Sequence, residues 1–366
     1  MGRGGWVMTG IRLKSVSAHF RHRVKGDIAA VRDVSLDVVP GELMTLLGPS
    51  GCGKTTTLRM IAGFQEPSAG NIFIGEHDVT QTEANQRNIG FVFQNYALFP
   101  HLSVFENVAY GLKIKRMDAA EVTRAVTDVL ALVGLASYGR QMPHQLSGGE
   151  QQRVALARAI VIKPRVLLFD EPLSNLDAKL RTHMRSEIRE LQRRLGITAV
   201  YVTHDQEEAM AISDRIAVMN KGVIEQIGTA EELYRRPTSV FVARFIGRSN
   251  LIEAVVGAVA PNRVELTIAG KLHAVDSAKA DLKQHDRVVV NVRPEAISIG
   301  AGEGIAGKVL TRTYLGEKME YEVEVAGQTL HIVRFNPPPS ERYAPGEAVS
   351  VQLPNEGVQV LAKEVV

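Results

Sequence analysis

Residues 48–55 read Gly48-Pro-Ser50-Gly51-Cys52-Gly53-Lys54-Thr55, and their reading decides the fold. The stretch has the form G-x-x-x-x-G-K-[ST], a phosphate loop whose glycines let backbone N–H groups curl around phosphate oxygens. Lys54 is expected to place a point charge on the β- and γ-phosphates, and the Thr55 hydroxyl to ligate Mg²⁺. Together with Ser50, Gly51, Cys52, Gly53 and Thr56 they form the expected nucleotide-contacting core. The context fits the motif. The β-rich run Leu43-Met-Thr-Leu-Leu47 precedes the loop, and Thr56-Leu-Arg-Met-Ile-Ala-Gly63 reads as a helix ending at Gly63. By itself the loop says only that a nucleoside triphosphate is bound.

About ninety residues further on comes Leu146-Ser147-Gly148-Gly149-Glu150, opening a helical run that extends to about Ile162. A serine hydroxyl, close backbone approach and a helix N-terminus make an anion site, although a Ser N-cap with a Gly pair is also an ordinary helix start. Helical spacing covers residues 104–136 as well. The apolar strand Val166-Leu-Leu-Phe169 ends in Asp170-Glu171, and Thr198-Ala-Val-Tyr-Val202 ends in Thr203-His204. Buried strands alternating with helices argue for a mostly parallel sheet. Triphosphate hydrolysis needs phosphate binding, Mg²⁺, a positioned water and charge stabilisation. Asp170 ends a strand expected beside the phosphate loop, where a carboxylate would hold Mg²⁺, and Glu171 would orient or deprotonate the water. Adjacent acidic residues at a strand end otherwise read as a solvated turn. The phosphate loop is what tips the reading toward chemistry.

The whole chain sets bounds. Its 366 residues imply two or three domains. A net charge of +3 from 43 Lys and Arg against 40 Asp and Glu gives no sign of a nucleic-acid surface. The single cysteine, Cys52, excludes an intramolecular disulfide and fits a reducing compartment. No apolar run reaches the roughly 18 residues of a membrane span. Residues 1–8 read as a disordered leader, with Met8 a second candidate start. The texture changes near Pro237. Beyond Asn250, short strand-like runs are divided by Gly, Pro and Asn. Glu320, Glu322 and Glu324 alternate with Met319, Tyr321, Val323 and Val325, and Gly327-Gln328 reads as a turn into Thr329-Leu-His-Ile-Val333. This predicts a small antiparallel β-domain.

Taken together, these motifs resemble the ATP-binding-cassette (ABC) ATPases, and their order from residue 10 to about 235 resembles the ATPase subunits of bacterial ABC importers. The resemblance assigns further roles. His204 resembles the switch histidine that contacts the γ-phosphate and orients Glu171. Gln94, in Phe91-Val-Phe-Gln94-Asn-Tyr96, resembles the glutamine-loop residue, with a side-chain carbonyl that reaches Mg²⁺ and the water while the flanking segment touches a membrane partner. Ser147, Gly148 and Gly149 would bind the γ-phosphate held by a second subunit's loop, which implies a homodimer. Asp177, in Ser174-Asn-Leu-Asp177, would link the two half-sites. Phe20 stands where an aromatic stacks on adenine, the alternative being a core aromatic, and Arg21-His-Arg-Val-Lys-Gly26 looks inserted, like an extended hairpin. Glu150 departs from the commoner Gln.

The segments from Tyr96 to Val108 and from Tyr201 to Ala209 look like the group that includes the maltose, polyamine and ferric-iron importers. Arg293-Pro-Glu295 is similar to that group's C-terminal extension. The resemblance therefore implies an α/β phosphate-loop NTPase cassette with a helical subdomain, followed by an all-β, OB-like (transport-associated) domain. The expected bounds are 9–236 for the cassette, 237–250 for a linker and 251–366 for a regulatory or dimerisation domain. It further implies ATP and Mg²⁺ as cofactors, two membrane-spanning permease subunits, a solute-binding protein reached indirectly, and a place on the cytoplasmic face of the membrane. Phe245-Ile-Gly-Arg-Ser-Asn250 lacks the Pro and Met of the sugar branch and leans toward a polyamine, with ferric iron, phosphonate, thiamine or a sugar as alternatives. A competing reading is a cassette ATPase acting on nucleic acid or ribosomes. Against it, residues 251–366 hold 12 Lys and Arg to 15 Asp and Glu, with few aromatics for base stacking. An exporter ATPase is disfavoured by the C-terminal extension.

Overall fold

Wholly apolar runs become buried strands, and strictly alternating ones become half-buried strands. The computed structural model describes residues 9–22, 26–260, 263–276, 282–302 and 304–362, so the leader expected at 1–8 lies outside the described residues. The chain divides into two compact units, Met1–Ala230 and Glu231–Val366.

The first unit runs β1 (Ile11–His22), β2 (Gly26–Val38), β3 (Leu43–Leu47), α1 (Lys54–Ala62), β4 (Ala69–Ile74), β5 (His77–Asp78), β6 (Ile89–Val92), α2 (Val104–Ile114), α3 (Ala119–Leu132), α4 (Gly148–Ile160), β7 (Val166–Asp170), α5 (Ala178–Leu195), β8 (Thr198–Thr203), α6 (Gln206–Ile212), β9 (Arg215–Asn220) and β10 (Val223–Gly228). A six-stranded sheet in the order β10-β9-β3-β8-β7-β6 is parallel except at its β10 edge, and every residue of β3, β7 and β8 is buried. A four-stranded antiparallel sheet, β2-β1-β4-β5, shares a core with it through Ile11, Val34, Leu46 and Val202. Helices α2 to α4, inserted between β6 and β7, form the helical subdomain around Val108, Val126 and Val154.

Two local readings shift. The helical period of 104–136 is two helices, because the Asp118 carboxylate accepts the Ala120 N–H at 2.8 Å and starts α3 afresh. Strand β7 is not beside β3, as expected for the strand ending in Asp170. Strand β8 lies between them, with Leu47 paired to Thr203 and Asp170 to Val202. Sequence spacing fixes that two strands are parallel, not which strand separates them.

The second unit opens on α7 (Ala230–Arg235) and α8 (Val240–Phe245), then β11 (Asn250–Ala260), β12 (Arg263–Ile268), β13 (Lys271–Asp276), β14 (Arg287–Val292), β15 (Ser298–Gly300), β16 (Ile305–Tyr314), β17 (Lys318–Val325), β18 (Gln328–Phe335), β19 (Ala348–Gln352) and β20 (Gln359–Ala362). Two five-stranded antiparallel sheets, β13-β12-β11-β14-β20 and β15-β19-β16-β17-β18, share one core in which Val290, Tyr321 and Ile332 are fully buried. This is the all-β, OB-like domain. In β17 the apolar residues are buried and the glutamates more exposed, as the alternation predicts. The turn is Ala326-Gly327 rather than Gly327-Gln328. Both have positive φ (48° and 80°), and Val325 pairs directly with Gln328.

The span 237–250, expected as a linker, contains α8, and its contacts place it in the second unit. Ser239 caps α8 by accepting the Val242 N–H at 3.2 Å. Arg293, 5% exposed, then gathers the preceding segment. It donates to Tyr234 O (2.6 Å), Ala243 O (3.2 Å), Arg248 O (3.0 Å) and Ser249 Oγ (2.7 Å). Its guanidinium lies 3.9 Å from the Tyr234 ring centroid. Burial, with the Glu295 carboxylate accepting the Tyr234 hydroxyl at 2.7 Å, pushes that phenol up to about 12.

Candidate active site

Strand β3 delivers the chain to Gly48, and the next residues turn back on themselves before α1 starts at Lys54. Gly51 and Gly53 are left-handed (φ 77° and 106°), conformations that glycine adopts freely. A Cβ on Gly53 would stand 2.5 Å from Ala30 O, and one on Gly48 would stand 2.3 Å from Met219 O. Lys54 is 5% exposed, and its Nζ donates to Gly48 O at 2.7 Å and Pro49 O at 3.0 Å, so the ammonium is fixed inside the loop. Cys52 contributes to the loop through its backbone. Its side chain, 3% exposed, packs with Met219 and Leu58 in the core, and burial pushes the thiol up against the opposing pull of Lys54. A buried, protonated sulfur is slow to alkylate, so Cys52 is not expected to behave as a reactive thiol.

Although β8 intervenes, α1 brings Thr55 across to β7, and Thr55 Oγ1 donates to Asp170 Oδ1 at 3.0 Å. Strand β8 in turn delivers His204 to the C-terminal end of the neighbouring β7, where His204 Nδ1 stands 3.1 Å from Glu171 Oε2. Glu171 is held at φ 43°, with its N–H donating to Val202 O at 3.0 Å. A left-handed non-glycine residue is strained, and such strain gathers at functional positions.

Burial pushes the Asp170 carboxyl up from its ordinary value, against the Thr55 hydrogen bond that favours its charge. The folded pKa is then above the unfolded one. Ionised Asp170 costs stability at all pH above the folded pKa, and the cost disappears as pH falls through it. Asp170→Asn is thus expected to raise the nucleotide-free thermal midpoint by roughly 1–3 °C at neutral pH, with the gain shrinking toward acid. Calorimetry across pH checks this, and a lower midpoint at neutral pH would count against it.

Ser147 is the N-cap of α4. Its Oγ accepts the Glu150 N–H at 3.4 Å and donates to Glu150 Oε2 at 2.7 Å, while the same carboxylate accepts the Ser147 N–H at 2.7 Å. This is a capping box, and it explains what Glu150 does in place of Gln. A Cβ on Gly148 or Gly149 would stand 3.0 Å from Leu176 or 3.1 Å from Leu180, so this pair packs under the segment that leads into α5. Among the described residues, no hydrogen bond joins Ser147–Gly149 to the phosphate loop. Asp177 caps α5 by accepting the Leu180 N–H at 2.9 Å. Asn175 Nδ2 donates to Gln94 O at 3.0 Å, joining that segment to the one carrying Gln94. Phe20 is 40% exposed and pairs across the hairpin with Ile28, which excludes the core-aromatic alternative. Ile28 is two residues from Ala30, whose carbonyl abuts Gly53. Phe20 is thus about two residues, or roughly 7 Å, along the strand pair from the phosphate loop.

Sequence reasoning missed the arginines that hold these loops. Arg158, on α4, donates to Tyr96 O at 2.7 Å and Ala97 O at 2.6 Å, two residues forced to positive φ (61° and 48°) just after Gln94. Arg181, on α5, pairs with Asp205 beside His204 at 3.2 Å. Each bond spans 24 or more positions, so neither role shows in the local sequence.

The ABC transporter family profile matches residues 31–174, and the TOBE domain profile matches residues 290–361. An Fe(3+) ions import ATP-binding protein (FbpC) of Rhizobium etli is 52% identical over 86% of this chain and 90% of its own length. A spermidine/putrescine import ATP-binding protein (PotA) of Vibrio cholerae is 46% identical over 89% of this chain and 86% of its own. Among solved structures, the dimeric ABC transporter cassette MJ0796 superposes with a TM-score of 0.54 at 32% identity, covering 60% of this chain and 98% of that one. The same cassette is known in a post-hydrolysis state bound to ADP and Pi. Among the described residues no helix is long and apolar enough to cross a membrane. With the phosphate loop, the Asp170–Glu171 pair and His204 at the C-terminal ends of neighbouring strands, the chain belongs to the ABC transporter family as an ATP-binding subunit of a bacterial importer, a transport ATPase of the group that includes the ferric-iron and polyamine import ATP-binding proteins.

Proposed function

We propose that two copies of the chain clamp two ATP molecules between them, and that hydrolysis drives two separate permease subunits to import a small solute delivered by a binding protein. The observation that carries the hydrolytic part is the 3.1 Å contact of His204 with Glu171 beside the 3.0 Å contact of Thr55 with Asp170. Lys54, the backbone of Ser50 to Gly53, and Thr56 would hold the phosphates, and Phe20 would stack on adenine. The Thr55 hydroxyl, the Asp170 carboxylate and the Gln94 carbonyl are hard oxygen donors suited to Mg²⁺. Bound there, the ion would neutralise charge on the β- and γ-phosphates. Glu171 would accept a proton from the attacking water, and His204 would hold the Glu171 carboxylate in place and donate toward the γ-phosphate.

The packing of Gly148 and Gly149 on Leu176 and Leu180 supports a shared site. It builds Ser147–Gly149 and Asp177 into one face, which in this reading serves the partner copy's phosphate loop. The dimeric cassette relative supports the same reading. Near Gln94, the Phe64 and Phe93 rings stack with centroids 6.1 Å apart and stand 51% and 36% exposed, an apolar surface suited to a permease segment. This would place the chain peripherally on the cytoplasmic face of the membrane.

For the solute, the likeness to Fe(3+) import proteins at 46–52% identity, against 46% for the polyamine one, supports ferric iron over the polyamine that the Phe245–Asn250 stretch suggests. Reconstitution with the cognate permeases and binding protein in liposomes, followed by ATP-dependent uptake of labelled Fe(III) and spermidine, tests it. Iron uptake is expected, and accumulation of spermidine alone would replace the solute.

A further inference from the structure

One side chain ties the turn carrying His204 to a segment on a different element. Arg181 lies in the first turn of α5, where its backbone N–H closes on Asp177 O at 2.8 Å. Its guanidinium reaches in two directions. Nη2 donates to Leu176 O at 3.1 Å, and Nη1 donates to Asp205 Oδ2 at 3.2 Å. The remaining Nε is buried without a hydrogen-bond partner, so the fork is oriented by these two acceptors.

Asp205 is equally constrained from its other side. Its Oδ1 accepts the Glu208 N–H at 3.1 Å and caps α6. Its own N–H donates to Thr203 Oγ1 at 3.0 Å, and that hydroxyl donates to Glu208 Oε2 at 2.8 Å. The Tyr201 hydroxyl closes on the same buried carboxylate. The residue between Thr203 and Asp205 is His204. His204 is thus flanked on both sides by residues held in this network.

We propose that Arg181 is a positioning residue that makes the placement of His204 against Glu171 depend on where the Ser174–Asp177 segment is held. The inference rests on the function proposed above, which assigns that segment to the face where the second copy docks. Docking that moves Leu176 would draw the guanidinium with it, then Asp205, then the imidazole. Each site would thereby sense whether its partner is in place. The ion pair itself is half-exposed, with side chains 33% and 28% accessible, so it adds little to folding stability, and its effect belongs to geometry.

A mutant cycle on the full chain tests this, reading kcat, ATP KM and the thermal midpoint. Asp205→Asn keeps the Oδ1 acceptor that caps α6 and replaces the oxygen facing Arg181 by an amide. Arg181→Met keeps the stem and removes the fork. Each is expected to lower kcat roughly tenfold with ATP KM changed less than about twofold, and the double variant to be no worse than either single one. In a His204→Ala background, Arg181→Met should have no further effect, a result that a merely structural role would not produce. Arg181→Lys, able to satisfy one acceptor at a time, should fall between. Wild-type kcat in Arg181→Met, multiplied losses in the double variant, or an undiminished loss without His204 would overturn the proposal. Should Arg181→Met fail to fold, Arg181→Lys completes the same cycle. Full activity in His204→Ala overturns the underlying hydrolytic reading as well.

Discussion

Glu171→Gln retains ATP and accumulates as a stable dimer. This is the expected result, because the amide keeps the shape of the side chain and leaves every phosphate-contacting group in place while removing the base. Turnover should fall roughly 10²- to 10⁴-fold, the usual contribution of a positioned general base. The structure sharpens the expectation. Glu171 sits at φ 43°, and its backbone N–H is bound to Val202, so the substitution is not free to relocate the side chain. His204 Nδ1 can still pair with a carboxamide oxygen, which keeps the imidazole near its present position 3.1 Å away. Size-exclusion chromatography with and without ATP, alongside phosphate release, measures both halves. A variant that stays monomeric at saturating ATP would argue against a nucleotide enclosed by two copies, and one that hydrolyses at the parental rate would remove Glu171 from the chemistry.

Lys54→Ala carries the second large effect. Its Nζ is buried and donates to Gly48 O and Pro49 O at 2.7 and 3.0 Å, so a phosphate entering the loop meets a charge already desolvated and aimed. A charge-assisted hydrogen bond of this kind contributes about 1.5–3 kcal/mol, so ATP affinity should weaken by roughly 10- to 100-fold. Isothermal calorimetry reads it directly. Truncation also leaves two loop carbonyls without their donor, and Lys54→Arg separates the two causes, since it keeps the charge but cannot fit the same space. Unchanged affinity in the alanine variant would refute the assignment of residues 48–55.

Much of this is legible in the sequence. The loop at Gly48–Thr55 and the helix ending at Gly63 follow from local chemistry, because glycine with positive φ and a Lys–Thr pair have few other uses at that spacing. The alternation in β17 is equally local. What was not legible is pairing across long separations. The insertion of β8 between β3 and β7 is invisible to periodicity, since all three strands are uniformly apolar. It is also what brings His204 to the phosphate loop. Arg158 and Arg181 carry no local signal of their roles, because the Tyr96 and Ala97 carbonyls and the Asp205 carboxylate that they bind lie on other elements. The span 237–250 reads as a connector because the texture changes near Pro237 and short strand-like runs begin only beyond Asn250. Arg293, read only as part of a motif, is the group that folds it down.

The conformation at Glu171 has a practical consequence for anyone engineering this chain. Holding a carboxylate-bearing residue in the left-handed region forfeits about 1 kcal/mol relative to glycine. Directed evolution toward heat tolerance would therefore reward Gly or Asn at this site, and the hardiest clones would be the dead ones. Any such campaign needs a turnover screen beside its melting curves.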